Sequence, residues 1–173
     1  MKTSRMLLLT VFVCVISIFP LIAQDYEPFF EEDDCPFPEI DGVICGYLIV
    51  PEDRNNPDGN EVELAVAIIE STGSAPSSIP IIYLEGGPGG AALLGIDDWL
   101  TVPLLQAQDL ILFDQRGTGF SYPSLNCYEM EEEEDGDSVA ACHDRLLDEG
   151  VDLDQYNSAA SAADVEDLRI ALG

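Results

Sequence analysis

Two glycine-rich turns carry the residue types that could do chemistry in this sequence. The first, residues 85–90, reads Glu-Gly-Gly-Pro-Gly-Gly and directly follows the apolar run at residues 79–84. Backbone N–H groups that no side chain shields can hold an anion or a developing oxyanion. A plain turn that needs only the positive φ of glycine explains the same composition. A phosphate-binding loop fits poorly, because neither G-x-x-x-x-G-K-[ST] nor G-x-G-x-x-G is present and no Lys is nearby.

The second turn, residues 114–119, reads Asp-Gln-Arg-Gly-Thr-Gly and follows the apolar run at residues 109–113. Short continuous apolar runs are typical of strands that are buried on both faces of a sheet. A helix-sized segment, residues 91–99, lies between the two runs, which predicts a parallel βαβ unit. Ligands bind at the carboxyl ends of such strands. We therefore expect both turns at one edge of a sheet.

Two further strands are expected before this unit. Residues 43–50 are β-branched and aromatic and are followed by Pro51, and residues 52–60 have the composition of a turn. Residues 61–70 begin with strict alternation that places Val62, Leu64 and Val66 on one face.

Two helices are expected after the unit, at residues 138–148 and 159–172. In the second, Ala162, Val165, Leu168 and Leu172 share one face, and Ser158 or Ser161 can cap its N-terminus. An acidic run, residues 131–134, is interpreted as a solvated loop.

The N-terminal residues have the pattern of a targeting segment. Lys2 and Arg5 precede the apolar run at residues 6–22, which predicts a signal peptide over residues 1–23 and a secreted or extracytoplasmic protein. An uncleaved membrane anchor formed by residues 6–22 is the alternative, and only then would a membrane be a partner. Residues 24–42 form an acidic leader that we expect to be irregular, and residues 43–173 form the folded core.

The overall charge excludes one class of partner. The sequence has 34 Asp and Glu against 6 Lys and Arg, for a formal net charge of −28. Nucleic-acid binding needs a basic face, so no nucleic acid is expected. The apolar fraction of 47% is sufficient for a core and argues against an acidic disordered tail.

Four cysteines remain after the expected signal peptide, and they allow three pairings. The pairs Cys35–Cys45 and Cys127–Cys142 are preferred because each closes a short loop. A zinc site is the weaker alternative, because no Cys-x-x-Cys occurs and His143 is the only His. Disulfides suit an exported chain, and no metal or cofactor is expected.

Four segments together resemble the secreted prolyl and tripeptidyl aminopeptidase group of the α/β-hydrolase superfamily. The Glu-Gly-Gly-Pro-Gly turn is similar to that group's oxyanion turn, and Asp-Gln-Arg-Gly-Thr-Gly-Phe-Ser is similar to its Asp-Gln-Arg-Gly-x-Gly-x-Ser. Residues 45–51 resemble its Cys-Gly-x-x-x-Val-Pro opening, and residues 163–173 resemble the helix ahead of its catalytic strand. The resemblance covers about residues 35–173. It implies an α/β class and the N-terminal part of an α/β-hydrolase fold, with a mostly parallel sheet and flanking helices, incomplete before the nucleophile elbow.

The resemblance also implies roles for a few residues. Gly87 matches the residue whose backbone N–H forms half of the oxyanion hole, and Gly86 supports the turn. Asp114 and Arg116 match structural positions, where an Asp/Arg pair can hold a βα turn beneath the active site. We expect Trp99 to serve mainly in packing, and Asp97 and Asp98 could border a substrate pocket.

The catalytic triad itself is not expected among these residues. No G-x-S-x-G elbow occurs, and His143 comes too early for the chain order Ser, Asp, His. Ser121, Ser158 and Ser161 lack an elbow and are not expected to be nucleophiles. The expectation is a fragment of an exported serine exopeptidase that acts on peptide N-termini, inactive alone, with a peptide or small acyl substrate. An esterase or lipase-like hydrolase, or a truncated non-catalytic acidic protein, are the alternatives.

Overall fold

The computed structural model describes residues 26–130 and 136–173, which form one open five-stranded sheet with helices on both faces. The strands lie in the spatial order β1-β2-β3-β5-β4. Their bounds are β1 Phe29–Glu32, β2 Val43–Pro51, β3 Glu61–Ile69, β4 Ile81–Tyr83 and β5 Leu110–Phe113. The α/β class expected from the sequence is confirmed.

The first strand lies in the segment that was expected to be irregular. β1 pairs antiparallel with β2, with Phe29 opposite Ile49, and this extends the sheet into the acidic leader. A disulfide between Cys35 and Cys45 joins the middle of the leader to β2, with the two Cα atoms 5.1 Å apart. The irregular-leader prediction is therefore wrong for residues 29–32. Phe30 packs against the core, and the disulfide ties this segment to β2.

The next two strands form the expected hairpin. β2 and β3 pair antiparallel along their whole length, from Val43 opposite Ile69 to Pro51 opposite Glu61. The alternation in β3 places Val62, Leu64 and Val66 on one face, and all three are buried there. Ala65, Ala67 and Ile69 are buried on the opposite face, because successive side chains alternate across a strand.

β4 and β5 are parallel, as the helix-sized segment between them predicts. All four residues of β5 are buried, but β4 is only half-buried, and Ile79 and Leu84 beside it are 69% and 52% exposed. The two apolar runs differ because β5 lies between β3 and β4, whereas β4 is the edge strand of the described sheet. Burial on both faces of residues 79–84 is therefore a wrong prediction for the described part of the chain.

The described sheet is mixed rather than mostly parallel. Three of its four strand pairs are antiparallel, and the β4–β5 pair alone is parallel. Short turns can join only antiparallel neighbours, and the β2–β3 connection is a short turn of this kind. The expectation of a mostly parallel sheet is corrected accordingly.

The helices cover both faces of the sheet. The connection from β4 to β5 contains a 3₁₀ turn, Leu93–Gly95, and the short helix α1, Ile96–Trp99, where one continuous helix was expected. Leu93, Ile96 and Leu105 of this connection pack on one face. Helix α3, Ser158–Leu172, packs on the other face through Leu168, and helix α2, Gly136–Asp148, forms a smaller cluster through Cys142 and Leu146.

The start of α3 differs from the sequence expectation. Asn157 is the N-cap, and its side-chain oxygen accepts hydrogen bonds from the backbone N–H groups of Ala159 and Ala160. Asn is among the preferred cap residues, and it takes the place expected for Ser158 or Ser161.

Some predictions fall outside the described residues. These are the signal peptide or anchor over residues 1–23 and the solvated loop at residues 131–134, and they stay predictions. Within residues 26–130 and 136–173, none of the helices has the length and apolar composition that spanning a bilayer requires.

The second disulfide joins Cys127 to Cys142, with Cα atoms 5.4 Å apart. Peptide mapping without reductant should therefore yield two cross-linked pairs, Cys35 with Cys45 and Cys127 with Cys142. Replacing either pair by Ser should lower the free energy of unfolding by about 3 kcal/mol, because each bridge closes a short loop in the unfolded chain. Recovery of a peptide that links Cys45 to Cys127 would contradict this pairing.

Candidate functional site

A cleft of about 750 Å³ opens at the carboxyl ends of β4 and β5. Leu84 and most of the two glycine turns, residues 85–89 and 115–118, form one side of it. Residues 125–126, residues 156–158 and three α3 side chains, Ser161, Ala162 and Val165, complete its lining. The two turns thus meet at one edge of the sheet, which is the position where open α/β sheets bind ligands.

The first turn requires glycine at its centre. Gly87 has a φ of +142°, and a Cβ added there would lie 2.8 Å from the Gly90 nitrogen. The Gly90 N–H donates to the Gly86 carbonyl oxygen at 3.1 Å, which closes the turn. Gly86 and Gly87 are exposed toward the cleft. Within residues 26–130 and 136–173, no acceptor engages the Gly87 N–H.

Glu85 anchors the beginning of this turn. One carboxylate oxygen accepts the Gly86 N–H at 2.9 Å, and the other accepts the Tyr83 hydroxyl at 3.1 Å. The hydrogen bond to this carboxylate raises the pKa of Tyr83. Tyr83 in turn packs against Trp99, with ring centroids 4.1 Å apart. Trp99 therefore packs behind the turn, and it supports the Tyr83–Glu85 pair from the α1 side.

Asp114 organises the second turn by binding backbone amides. Its side chain is fully buried and accepts the Leu93 N–H at 3.0 Å and the Phe120 N–H at 2.9 Å. Burial raises the pKa of this carboxyl group, and the amide hydrogen bonds oppose that shift. Gly119 has a φ of +54°, and a Cβ there would overlap an Asp114 oxygen. Gln115 then joins the two turns by donating to the Glu85 carbonyl oxygen at 2.8 Å.

Arg116 ties the second turn to α3. Its Nε and Nη2 each lie 2.7 Å from an oxygen of Asp164, and both side chains are buried. Its Nη1 donates to the carbonyl oxygens of Glu52 and Gln155 at 3.1 Å and 2.9 Å. Every nitrogen of this guanidinium group is thus bonded within the protein, although Arg116 lies at the wall of the cleft.

Asp164 also binds a second guanidinium group. Arg54, in the turn after β2, lies 2.5 Å from Asp164 and 2.6 Å from Asp167. Burial opposes the charge on Arg54, but its hydrogen bonds to Asp164 and Asp167 outweigh that effect and raise its pKa. The Tyr26 hydroxyl completes the group by donating to Asp167. We call Arg54, Arg116, Asp164 and Asp167 the buried ion network.

Asp114 and Arg116 were expected to form a pair with each other. Instead, Asp114 binds backbone amides and Arg116 binds Asp164. The predicted Asp114–Arg116 pair is therefore wrong, because each side chain binds a group in another segment that packs against the turn.

The other candidate residues lie in different places. Asp97 and Asp98 are exposed on α1 and, like Trp99, do not line the cleft. Ser121 is buried, donating to the Asp114 carbonyl oxygen and accepting the Ala65 N–H. Ser158 and Ser161 do line the cleft.

His143 is not placed to serve as a catalytic base. It is exposed on α2, and its contact among the described residues is with Asp144 at 3.3 Å. The structure therefore brings no Ser–His pair together within residues 26–130 and 136–173.

One group of side chains could in principle ligate a metal. Cys127, Glu129 and Cys142 have ligand atoms within 4.8 Å of one another. The two cysteines are joined in a disulfide, and Glu129 pairs with Arg145. The donor set of this oxidised group does not fit a metal ion.

Sequence reasoning did not find the buried ion network. Asp164 and Asp167 were given no role in the last helix, yet both are buried beside Leu168. A signal was available, because the two acids are three residues apart and Leu168 follows Asp164 by four, so that all three share one face. A scarcity of cations was a second signal, since each Arg in such an acidic chain is expected to find a carboxylate.

Comparison with known proteins points to hydrolases. No family model matches the chain. The chain is 28% identical over 151 residues to YuaR of Escherichia coli K12, which is named as a hydrolase; the match covers 76% of this chain and 29% of that protein. It is 36% identical over 89 residues to the serine protease Hip1 of Mycobacterium tuberculosis H37Rv, covering 50% of this chain and 17% of that protein. It is 34% identical over 96 residues to the tripeptidyl aminopeptidase of Streptomyces coelicolor, covering 52% and 18%.

These similarities support a hydrolase as the class of protein. They do not extend over whole relatives, because the chain spans less than a third of the length of the curated relatives it matches.

The buried ion network yields a stability prediction. Asp164→Asn should lower the free energy of unfolding by about 3 kcal/mol or more, because it leaves two guanidinium groups with too few anionic partners. Glu166→Gln on the same helix is the matched control, since Glu166 pairs with Arg169 on the exposed surface, and no measurable loss is expected. Chemical denaturation of both variants measures the difference. Equal unfolding curves for the two would show that the network contributes nothing.

Proposed function

We propose that this chain belongs to an exported serine hydrolase of the α/β-hydrolase type, which releases residues from the N-termini of peptides. The reaction is acyl transfer: a serine oxygen attacks the scissile carbonyl carbon while a histidine takes its proton. The Gly87 N–H then donates to the oxyanion of the tetrahedral intermediate, and the histidine returns the proton to the leaving amine. Water attacks the acyl-enzyme in the same way, which releases the acid and restores the serine.

The free Gly87 amide is the observation that carries this proposal. It lies in a turn at the carboxyl end of β4, exposed to the cleft, with no internal acceptor among the described residues. A preorganised donor of this kind stabilises an oxyanion because it needs no reorganisation during the reaction. Gln115, Glu85 and Asp114 hold the two turns in place through hydrogen bonds.

We assign the nucleophile, the acid and the base of the triad to other residues of the whole protein. None of the serines in the described residues lies next to a histidine, and the relatives are several times longer than this chain. We therefore propose the activity for the whole protein.

Peptide substrates are proposed because two relatives are named as a serine protease and a tripeptidyl aminopeptidase. Export is proposed from the two disulfides, since such bonds persist in oxidising compartments. The charged N-terminus followed by an apolar run supports the same conclusion.

The activity is tested on the whole protein purified from its natural source or expressed from its complete coding region. We expect covalent labelling by a fluorophosphonate probe and release of p-nitroaniline from aminoacyl or tripeptidyl anilides. Hydrolysis of a short p-nitrophenyl ester, with no hydrolysis of any anilide, would show that the enzyme is an esterase and not an exopeptidase. Absence of both labelling and hydrolysis would overturn the serine-hydrolase proposal.

The oxyanion role of Gly87 has its own test. Gly87→Ala should reduce kcat by about 10²–10³-fold, because a Cβ at this φ displaces the amide from the oxyanion. Gly95→Ala is the control, since a Cβ there meets nothing within 4 Å, and its kcat should stay unchanged. A Gly87→Ala enzyme that keeps kcat within threefold of the wild type would contradict the assignment.

A further inference from the structure

We infer that Glu85 is a specificity-determining residue, which binds the positively charged α-amino group on the residue that supplies the scissile carbonyl. The inference rests on the proposed function and names the substrate class of that same cleft: peptides or amides with a free amino terminus, from which one residue is released.

The charges around the cleft lead to this inference. Glu85 and Arg116 are the charged side chains among the residues that line it. The guanidinium group of Arg116 is fully bonded to Asp164 and to two carbonyl oxygens, so Asp164 neutralises its charge. The Glu85 carboxylate is therefore the uncompensated charge at the wall of the cleft formed by the described residues.

No other described cation is available to neutralise Glu85. Arg54 binds Asp164 and Asp167, Arg145 binds Glu129 and Glu149, and Arg169 binds Glu166. His143 is exposed on α2 beside Asp144. A negative charge next to an oxyanion hole would oppose the developing oxyanion, so a catalytic site gains from a substrate cation that offsets it.

The hydrogen bonds of Glu85 leave room for such a ligand. Each carboxylate oxygen accepts one internal hydrogen bond, from Gly86 N–H or from the Tyr83 hydroxyl. A carboxylate has about four acceptor positions, so each oxygen can accept one more donor. The internal bonds fix the carboxylate in one orientation, and the side chain remains half-buried rather than enclosed.

The spacing favours release of a single residue. Glu85 Oε1 lies 2.9 Å from the Gly86 nitrogen, and consecutive residues are about 3.8 Å apart, so the carboxylate is within about 7 Å of the Gly87 amide. An α-amino group on the attacked residue lies within one residue's length of the oxyanion. The α-amino group of an extended tripeptide lies about 7 Å further away.

The test compares matched substrates on the whole protein. Alanyl p-nitroanilide should be hydrolysed with a kcat/KM about 10–100-fold higher than N-acetyl-alanyl p-nitroanilide, because a charge-assisted hydrogen bond is lost on acetylation. Glu85→Gln should abolish most of this preference by raising KM for the free amine. This variant keeps the acceptor for Gly86 N–H and a hydrogen-bonding partner for Tyr83. The ratio of kcat/KM between the two substrates, measured on the same variant, therefore separates the lost contact with the amine from any change in the turn.

A control variant and further substrates separate the outcomes. Glu70→Gln removes one exposed carboxylate that does not line the cleft, and the preference should stay as in the wild type. If Glu85→Gln lowered kcat/KM equally for both substrates, Glu85 would only position the turn, and the inference would be overturned. The inference would also be overturned by a free-amine preference that Glu85→Gln leaves intact, or by a preference for N-acetyl-lysyl or tripeptidyl anilides. In each of these cases the hydrolase proposal would stand, whereas absence of fluorophosphonate labelling and of any hydrolysis would remove both.

Discussion

The buried carboxylate of Asp164 is the constraint on which the arrangement of the cleft depends. It binds Arg116 in the turn after β5 and Arg54 in the turn after β2, while it is itself part of α3. Three segments far apart in sequence are therefore held by one charged group. An isolated charge in the interior costs several kcal/mol. If one of the three segments moved away, it would leave a buried charge without its partner. Leu168 adds the apolar contact that seats the same helix on the sheet.

The turns of the cleft are fixed by a second set of contacts that does not use opposite charges. Asp114 binds the backbone amide of Leu93 in the β4–β5 connection and that of Phe120 after the second turn. Gln115 extends the connection to the first turn through the Glu85 carbonyl oxygen. Each bond serves a backbone group that would otherwise be left unpaired. The Gly87 amide has no such partner among the described residues and lies toward the cleft.

Local patterns in the sequence predicted the elements but not the long-range pairing of charges. The hairpin of β2 and β3, the parallel pair of β4 and β5 and both disulfides follow from alternation, run length and loop size. The strand in the acidic leader was not predicted, because pairing with β2 outweighs its local composition. The exposure of β4 was not predicted either, since an apolar run does not reveal its place in the sheet. The partner of Arg116 lies 48 residues away, beyond the range of any local pattern.

The composition of the chain also determines the charge of its cleft. With 6 basic against 34 acidic residues, cations are the scarce component, and Arg54, Arg116 and Arg145 form ion pairs that hold separate segments together. The Glu85 carboxylate at the wall of the cleft then has no arginine partner and accepts hydrogen bonds only from the Tyr83 hydroxyl and the Gly86 N–H. An acidic surplus, which by itself says nothing about fold, thereby biases the site toward cationic groups. The same ion pairs that stabilise the sheet and α3 thus leave no described arginine to pair with Glu85.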